Sequence, residues 1–432
     1  MKKEYVCAGI MTGNSLDAVD VVLTRFDGSS IKDVCGHSKA IPAEIADGFR
    51  RLKAFLAENG GDVESFYAEN RREFESLHRA YIRLTAETVK EMLIRNNVSP
   101  RQVDAVGFHG QTCYHLPPSV AAAGQEPNTL QVGSGQMLSD LLQIPVVYDF
   151  RSDDVMNGGE GAPLAPVHNR HLAEDLREKG IFPAVFCNGG NTGNVAVVFD
   201  DKVTGWDCGP FNHFADMLTR TEKNEACDYD GKYGRSGKTD YKLLEELFNK
   251  SVQTGDGENF ILKNPPKSSD PVWYKMTSGL ADKRLPFEDR LRTAEFFSAY
   301  IMVYSLVFLP IKTPDYFLIF GGGWNNPLIR SDFEDLLHGK AGVLPQHKEI
   351  FAAAANGKAV VDWSDKFGYN GKYMEARIFA DMAKCRLTGE PFSVPLTTGC
   401  KSPTVGGIIA VPNGRDGRLW SRAAKGWGKN VR

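Results

Sequence analysis

The stretch EYVCAGIMTGNSLDAVDVVLTRF, residues 4–26, decides the fold. Glu4–Met11 is a short apolar run rich in strand formers, Thr12–Ser15 is a polar turn, and Ala18–Phe26 alternates as a second strand. Asp27-Gly28 is a turn signal, and Ile31–Ile41 reads as a third strand, so the N-terminus predicts an antiparallel meander. The same order returns later without sequence repetition: Phe182–Asn188, a Gly/Asn turn at Gly189–Gly193, then Asn194–Phe199 and Lys202–Trp206. Two such units predict two α/β halves and a cleft lined by two hairpin turns.

The intervening segments supply helices and further strands. Ala43–Glu58, Phe66–Asn96, Gln136–Leu142, Pro210–Thr221, Asp240–Asn249, Arg290–Leu309 and Tyr373–Leu387 carry helical periodicity. Val103–His109, Asn128–Gln131, Ile144–Phe150 and Tyr316–Phe320 read as strands. Ser251–Lys275, rich in Gly, Pro, Asn and Lys, is expected as a surface insertion, and the basic, Gly-rich tail after Pro412 as loosely held.

A length of 432 residues suits two large domains or three small ones. A formal net charge of -3 argues neither for nucleic acid nor for a solvating acidic arm. The eight cysteines form no C-x-x-C pair, so they read as reduced, buried thiols with no disulfide framework and no zinc site. No apolar run reaches the ~18 residues of a membrane span, and Met1–Met11 is too short an apolar run for a signal peptide. The expected location is the cytoplasm.

Three Gly-rich turns follow apolar strands: residues 9–15, 188–194 and 321–327. Small residues let backbone N–H groups converge on an anion, and a following helix N-terminus favours negative charge. Each alone reads first as a tight turn; three in one chain point to a nucleotide site. Gly231–Thr239 imitates a P-loop, but five residues separate Gly231 from Gly237 where that motif has four, so it is expected as a polar surface loop that touches ligand.

Phosphoryl transfer needs positioned phosphates, a divalent cation and a proton acceptor. Asp17 follows the first turn, Arg151 and Asp153 follow the strand ending at Phe150, and Glu375 opens a helix. A carboxylate near a Gly-rich turn fits the metal role, although Glu375 reads first as a surface helix position or first-turn charge. Asp207, between a strand and a helix, reads evenly as a helix N-cap or as a base. His109 is expected to be structural, with no second His at metal-ligand spacing.

Together these motifs resemble the anhydro-N-acetylmuramic acid kinase family and its relative levoglucosan kinase, in the actin-like sugar-kinase superfamily. The segment Met11–Asp20 is similar to the family's M-S-G-T-S-x-D-G-x-D, with Thr12, Asn14 and Ala18 as departures. His109–Thr112, Asp149–Asp154, Gly158–Leu164, Asn188–Asn194, Asp207–Asn212, Cys227–Gly231, Gly321–Pro327 and Glu375-Ala376 match later motifs in order. Phe211 stands where the family has Gly and is expected to bear on the sugar pocket or on the start of the next helix.

The resemblance implies a two-domain actin-like (ribonuclease H-like) α/β fold with an interdomain cleft. The expected domains are 1–143 with 388–432, and 144–387. It implies ATP and Mg²⁺. Thr12, Gly13, Asn14, Ser15, Leu16, Asp17, Ala18, Val19 and Asp20 would bracket the phosphates with Asn188, Gly189, Gly190 and Asn191. Gly321, Gly322, Gly323 and Asn326 would cover the adenosine, and Asp17 and Glu375 would help place the metal. Gln111, Thr112, Arg151 and Asp153 would line the sugar side, with Asp207 as base. O6 of a 1,6-anhydro sugar carries no proton, so the resemblance implies that Asp207 activates a water. The implied partners are ATP and a small anhydro sugar in a homodimer, with neither nucleic acid nor membrane.

Overall fold

The computed structural model describes residues 4–28 and 30–424. The chain divides into two compact units. The first comprises 1–118, 126–175 and 373–432; the second comprises 119–125 and 176–372.

The first unit holds β1 (Glu4–Thr12), β2 (Ala18–Asp27), β3 (Ser30–Ala40), β4 (Ala105–Phe108), β5 (Gln111–Leu116), β6 (Asn128–Val132) and β7 (Val146–Tyr148). The second holds β8 (Ala184–Gly189), β9 (Thr192–Phe199), β10 (Lys202–Pro210), β11 (Tyr316–Phe320) and β12 (Val360–Trp363), after which β13 (Ile408–Ala410) returns to the first.

The first sheet runs β13-β7-β4-β1-β2-β3, and the second β10-β9-β8-β11-β12. In each, three consecutive strands form the expected antiparallel meander, and two later strands add in parallel beside its first strand. This shared order, three-two-one-four-five, is the ribonuclease H-like half of an actin-like fold. The hairpin turns fall where the Gly/Asn/Ser chemistry put them, with Thr12 opposite Val19 and Gly189 opposite Gly193.

The Met374–Thr388 helix covers the first sheet. Gly9 and Gly107 are register partners on β1 and β4. A Cβ would lie 1.8 Å from the Ala376 carbonyl oxygen at Gly9, and 1.9 Å from that of Phe379 at Gly107. The glycine pair therefore lets the helix backbone rest directly on the strands. In the second unit the Phe287–Tyr304 helix is buried from Thr293 to Tyr304 and anchors the core around Trp206, Phe211 and Trp324.

Four expectations change. The units divide at 175/176 and 372/373, not at 143/144 and 387/388. The reason is long-range pairing: β7 joins β4, and the Met374–Thr388 helix packs on β1 and β4. The long helix expected at Arg290–Leu309 ends at Tyr304 and tightens into a 3₁₀ turn, Ser305–Phe308. The segment 251–275 is no simple surface insertion, because Val252, Phe260, Ile261, Lys267 and Ser268 are all fully buried.

The tail after Pro412 is held as far as it is described. Ser421 exchanges hydrogen bonds with Gln131, Trp420 packs edge-on against Tyr67 and Phe74, and Arg422 pairs with Asp149 at 2.7 Å and Asp153 at 2.8 Å. Residues 425–432 of that tail lie outside the described residues.

Candidate active site

In the first unit the β1–β2 turn exposes Asn14, Ser15 and Asp17. Asn14 Oδ1 accepts from Lys53 Nζ at 3.0 Å, and Ser15 Oγ donates to Asp17. Gly13, Ala18 and Asp20 are half-buried. Thr12 Oγ1 bonds the buried Tyr81 hydroxyl at 2.9 Å, and Leu16 and Val19 are core residues, so none of the three side chains faces a phosphate. Leu16 turns the chain with φ 60. Glu375 occupies the half-buried first turn of the Met374–Thr388 helix.

His109 is buried and links Gly110 to Arg151. Burial pushes its pKa well below the usual imidazole range, so the ring is neutral. Nδ1–H donates to the Gly110 carbonyl at 2.9 Å, and Nε2 accepts from Arg151 Nε at 3.0 Å. Arg151 is further anchored on the Gly161 carbonyl at 2.7 Å. Gln111 is fully buried, its Nε2 on the Thr112 carbonyl and its Oε1 without a partner among the described residues. Thr112 Oγ1 accepts from Gln131 Nε2 at 3.4 Å. Asp153 binds Gly407 N–H and Arg422, so its carboxylate fastens the C-terminal segment.

In the second unit the Gly-rich turns meet. β8 and β11 are parallel neighbours, with Phe320 opposite Asn188. Both loops therefore leave the carboxyl edge of the sheet, where α/β folds place nucleotides. A Cβ at Gly321 (φ +97) would lie 2.6 Å from Asn188 Oδ1, so this glycine is spent on packing the two loops together. Gly322 has open space around it, and a Cβ at Gly190 would meet the Thr192 carbonyl oxygen only at 3.5 Å, which suits a close ligand approach. Asn191 and Gly190 carbonyls accept from Phe211 and Asn212 N–H, which fastens the β8–β9 turn to the end of β10. Asn326 does not point its side chain at a ligand. Its Oδ1 caps the Pro327–Leu337 helix, and its Nδ2 donates to Glu295 at 2.7 Å.

Asp207 is not a helix cap. β10 runs on to Pro210, and Asn212 holds the N-cap position of the next helix. A bulge between Asp207 and Gly209 kinks the strand beside Asn194. Such kinks re-aim side chains. Asp207 is 5% exposed, and its Oδ2 accepts from Ser268 Oγ at 3.0 Å and Ser269 N–H at 2.8 Å. Its own N–H donates to the Lys267 carbonyl at 3.1 Å.

Lys267 is fully buried, donating to the Phe260 and Ile261 carbonyls and lying over the Phe260 and Phe308 rings. Burial pushes its pKa down to about 7, against the pull of Cys208 and Asp207. Phe211 does not disturb the following helix, which starts at His213 behind Asn212. Its buried ring fills the space under Gly189, Gly193 and Gly323 and packs at a tilt against Trp324, with ring centroids 4.7 Å apart.

The P-loop imitation is not a simple surface loop. Asp228 clamps Tyr233 and Gly234 N–H, and Gly234 seats against Glu295. Lys53, Lys267, Ser268 and Ser269 were missed by motif reading. A Lys-Ser-Ser run in a Gly/Pro-rich segment has the composition of a surface loop, and only the fold brings it to Asp207.

A sequence profile of the anhydro-N-acetylmuramic acid kinase family matches residues 4–412. The chain belongs to this family. It is accordingly an ATP-dependent sugar kinase. Among its relatives, an anhydro-N-acetylmuramic acid kinase from Methylorubrum populi is 32% identical over 94% of this chain and 98% of that one. One from Brucella suis is 31% identical over the same shares. Among solved structures, a ROK family glucokinase from Streptomyces griseus in complex with glucose and AMPPNP is similar at TM-score 0.33 and 11% identity, covering 88% of this chain and 99% of that one. The fold assignment rests on the strand orders.

No helix among the described residues is long and apolar enough to cross a membrane. For the cation that a kinase uses, the exposed carboxylate of Asp17 and that of Glu375 are hard oxygen donors of the kind Mg²⁺ takes. The Gly9 contact with Ala376 brings the first turn of that helix, with Glu375, against β1, the strand that leads into the turn carrying Asp17.

Proposed function

We propose that this kinase opens the 1,6-anhydro ring of 1,6-anhydro-N-acetylmuramic acid and phosphorylates O6 at the expense of ATP, giving N-acetylmuramic acid 6-phosphate in cell-wall recycling. The observation that carries the proposal is the setting of Asp207. It is a buried carboxylate on a bulged strand end, oriented through one oxygen by Ser268 and Ser269, beside the Gly-rich β8–β9 turn.

In this reading Asp207 takes a proton from a water. The water's oxygen attacks the anomeric carbon, and the C1–O6 bond breaks. The electron pair released onto O6 attacks the γ-phosphorus, and ADP leaves. One water, one ATP and one anhydro sugar give one sugar 6-phosphate and one ADP, and the proton on Asp207 returns to solvent. The low-exposure setting strengthens the hydrogen bonds that hold the carboxylate in place.

Asn188–Asn191 and Gly321–Gly323 would receive the nucleotide. Mg²⁺ on Asp17 and Glu375 would supply positive charge for the phosphates. Gln111, Thr112 and Arg151 would bind sugar. Asp153 would act indirectly, by fastening Arg422. A homodimer and a cytoplasmic location complete the proposal.

The test is ADP release with a panel of 1,6-anhydro-N-acetylmuramic acid, levoglucosan and glucose. The proposal expects turnover with the first, at kcat/KM well above the other two. Turnover with glucose alone would overturn ring opening, and turnover with levoglucosan alone would overturn the amino-sugar assignment.

A further inference from the structure

The first unit holds a cluster of metal-type donors that the reaction above does not use. The Ala165–His171 helix carries His168 and His171 three residues apart, and the Met374–Thr388 helix carries Asp381 and Cys385 four apart, so each pair shares a helix face. His171 Nδ1 lies 2.6 Å from Asp381 Oδ2, and Cys385 Sγ lies 3.8 Å from Asp381 Oδ1. The imidazole nitrogen, the carboxylate oxygen and the sulfur all lie within 4.8 Å of one another. Asp381 and Cys385 are each 1% exposed.

We propose that His171 Nδ1, Asp381 and Cys385 Sγ form a binding site for a zinc-type divalent cation, with water in the fourth position. The donor chemistry selects the ion. A thiolate, an imidazole and a carboxylate form a mixed, borderline-soft set that suits Zn²⁺ and not the hard Mg²⁺ of the kinase reaction. Zn–N of about 2.1 Å and Zn–S of about 2.3 Å put nitrogen and sulfur about 3.6 Å apart in a tetrahedron. Nitrogen and sulfur, within 4.8 Å of each other, therefore need to close by about 1.2 Å or less, while the 2.6 Å contact of His171 with Asp381 opens to admit the ion.

The surroundings are those of a supported site. His171 Nε2 bonds Glu390 Oε1 at 2.9 Å, the carboxylate–imidazole arrangement that orients a metal-bound histidine. Lys384 in turn holds Glu390. His168 is an outer support and not a ligand. Arg377 Nε–H donates to its Nε2 at 3.3 Å, so a neutral ring carries its proton on Nδ1 and donates to Asp381 at 2.8 Å. The side chains of His171 and Glu390 are 14% and 34% exposed, which leaves an entry edge.

Without an ion the same atoms form a charge network between the helices, in which the thiol has only long contacts to carboxylates, at 3.8 and 3.9 Å. With an ion, thiolate and carboxylate neutralise the dication. Cys385 gives up its S–H proton and the His171 imidazolium its Nδ1 proton, two protons per ion. Burial lowers the His171 pKa, but Asp381 and Glu390 outweigh it and raise it to about 9. Burial also raises the Cys385 thiol. With Asp381, Glu390, Lys384, Arg377 and His168 facing these two groups, occupancy must displace protons, so affinity rises with pH.

The test uses the full chain, stripped with a chelator and titrated with Zn²⁺ against a chromophoric competitor, then with Co²⁺. We expect one tightly bound equivalent, a thiolate-to-Co²⁺ charge-transfer band, and tighter binding as pH rises. Cys385→Ala should lose the band and weaken binding by about 100-fold or more, and His171→Gln should weaken it similarly. Cys227→Ala, at a half-exposed thiol elsewhere, should change neither. Circular dichroism checks the fold, and Cys385→Ser replaces the alanine variant if that one unfolds. Absence of stoichiometric binding, or binding that the Cys385 variants retain, overturns the site.

Discussion

Asp207 and the three residues that hold it carry the sharpest expectations. Asp207→Asn keeps the side-chain shape and removes the proton acceptor. kcat should fall by about 10²–10⁴-fold, the range for a general base, with ATP affinity unchanged in a binding titration. Ser268→Ala removes a donor to Oδ2. A hydrogen bond to a charged group is worth about 1.5–3 kcal/mol, so kcat should fall by about 10-fold or more with KM for ATP little changed.

Lys267 makes a separate claim about pH. Its folded pKa, about 7, lies below the ordinary 10.5. Between those values the unfolded chain binds more protons than the folded one, so this group's contribution to stability increases as pH rises. Melting curves of wild type and Lys267→Met near pH 7 and near pH 10 should show wild type gaining on the variant at the higher pH.

At the scale of elements, the helix-on-strand contact at Gly9 and the C-terminal fastening are testable by stability. A methyl group at Gly9 has backbone in its way, at 1.8 Å. Gly9→Ala should therefore cost about 3 kcal/mol or more. That is a fall in Tm of about 6 °C or more by calorimetry. Arg422→Ala strips the cationic partner from Asp149, whose carboxylate is 1% exposed. Breaking a buried pair from one side costs about 3–5 kcal/mol, so this variant should melt well below wild type although it lies near the chain end.

The elements also mark where sequence reading works. The two meanders were legible because turn chemistry and strand alternation are local, as at Thr12–Ser15 and Gly189–Gly193. β7, β13 and the Met374–Thr388 helix join the first sheet through pairings that no short window contains. The bulged end of β10 was read as a helix start because Pro210 and Asn212 carry helix-opening chemistry. The positions from Thr12 to Asp20 were read as one phosphate loop, yet Thr12, Leu16 and Val19 face the protein. Which side a turn residue faces depends on partners such as Tyr81, not on composition.

For the whole molecule, two units with the same strand order, each ending its first two strands in a Gly-rich turn, match the family assigned over residues 4–412. Motif order along the chain was legible because these turns recur at fixed places in each unit. The sugar is a different matter: its proposed contacts, Gln111, Thr112 and Arg151, are side chains whose hydrogen bonds only the folded unit defines. The central claim is that one carboxylate, Asp207, drives ring opening by water together with transfer to O6. The most direct test is a single turnover in H₂¹⁸O with 1,6-anhydro-N-acetylmuramic acid and ATP, quenched before the free anomeric centre exchanges. Sugar 6-phosphate from wild type should carry ¹⁸O at the anomeric carbon, and Asp207→Asn should form neither product nor label. A phosphorylated sugar with its anhydro ring intact, or labelled product formed at the wild-type rate by Asp207→Asn, would contradict the account.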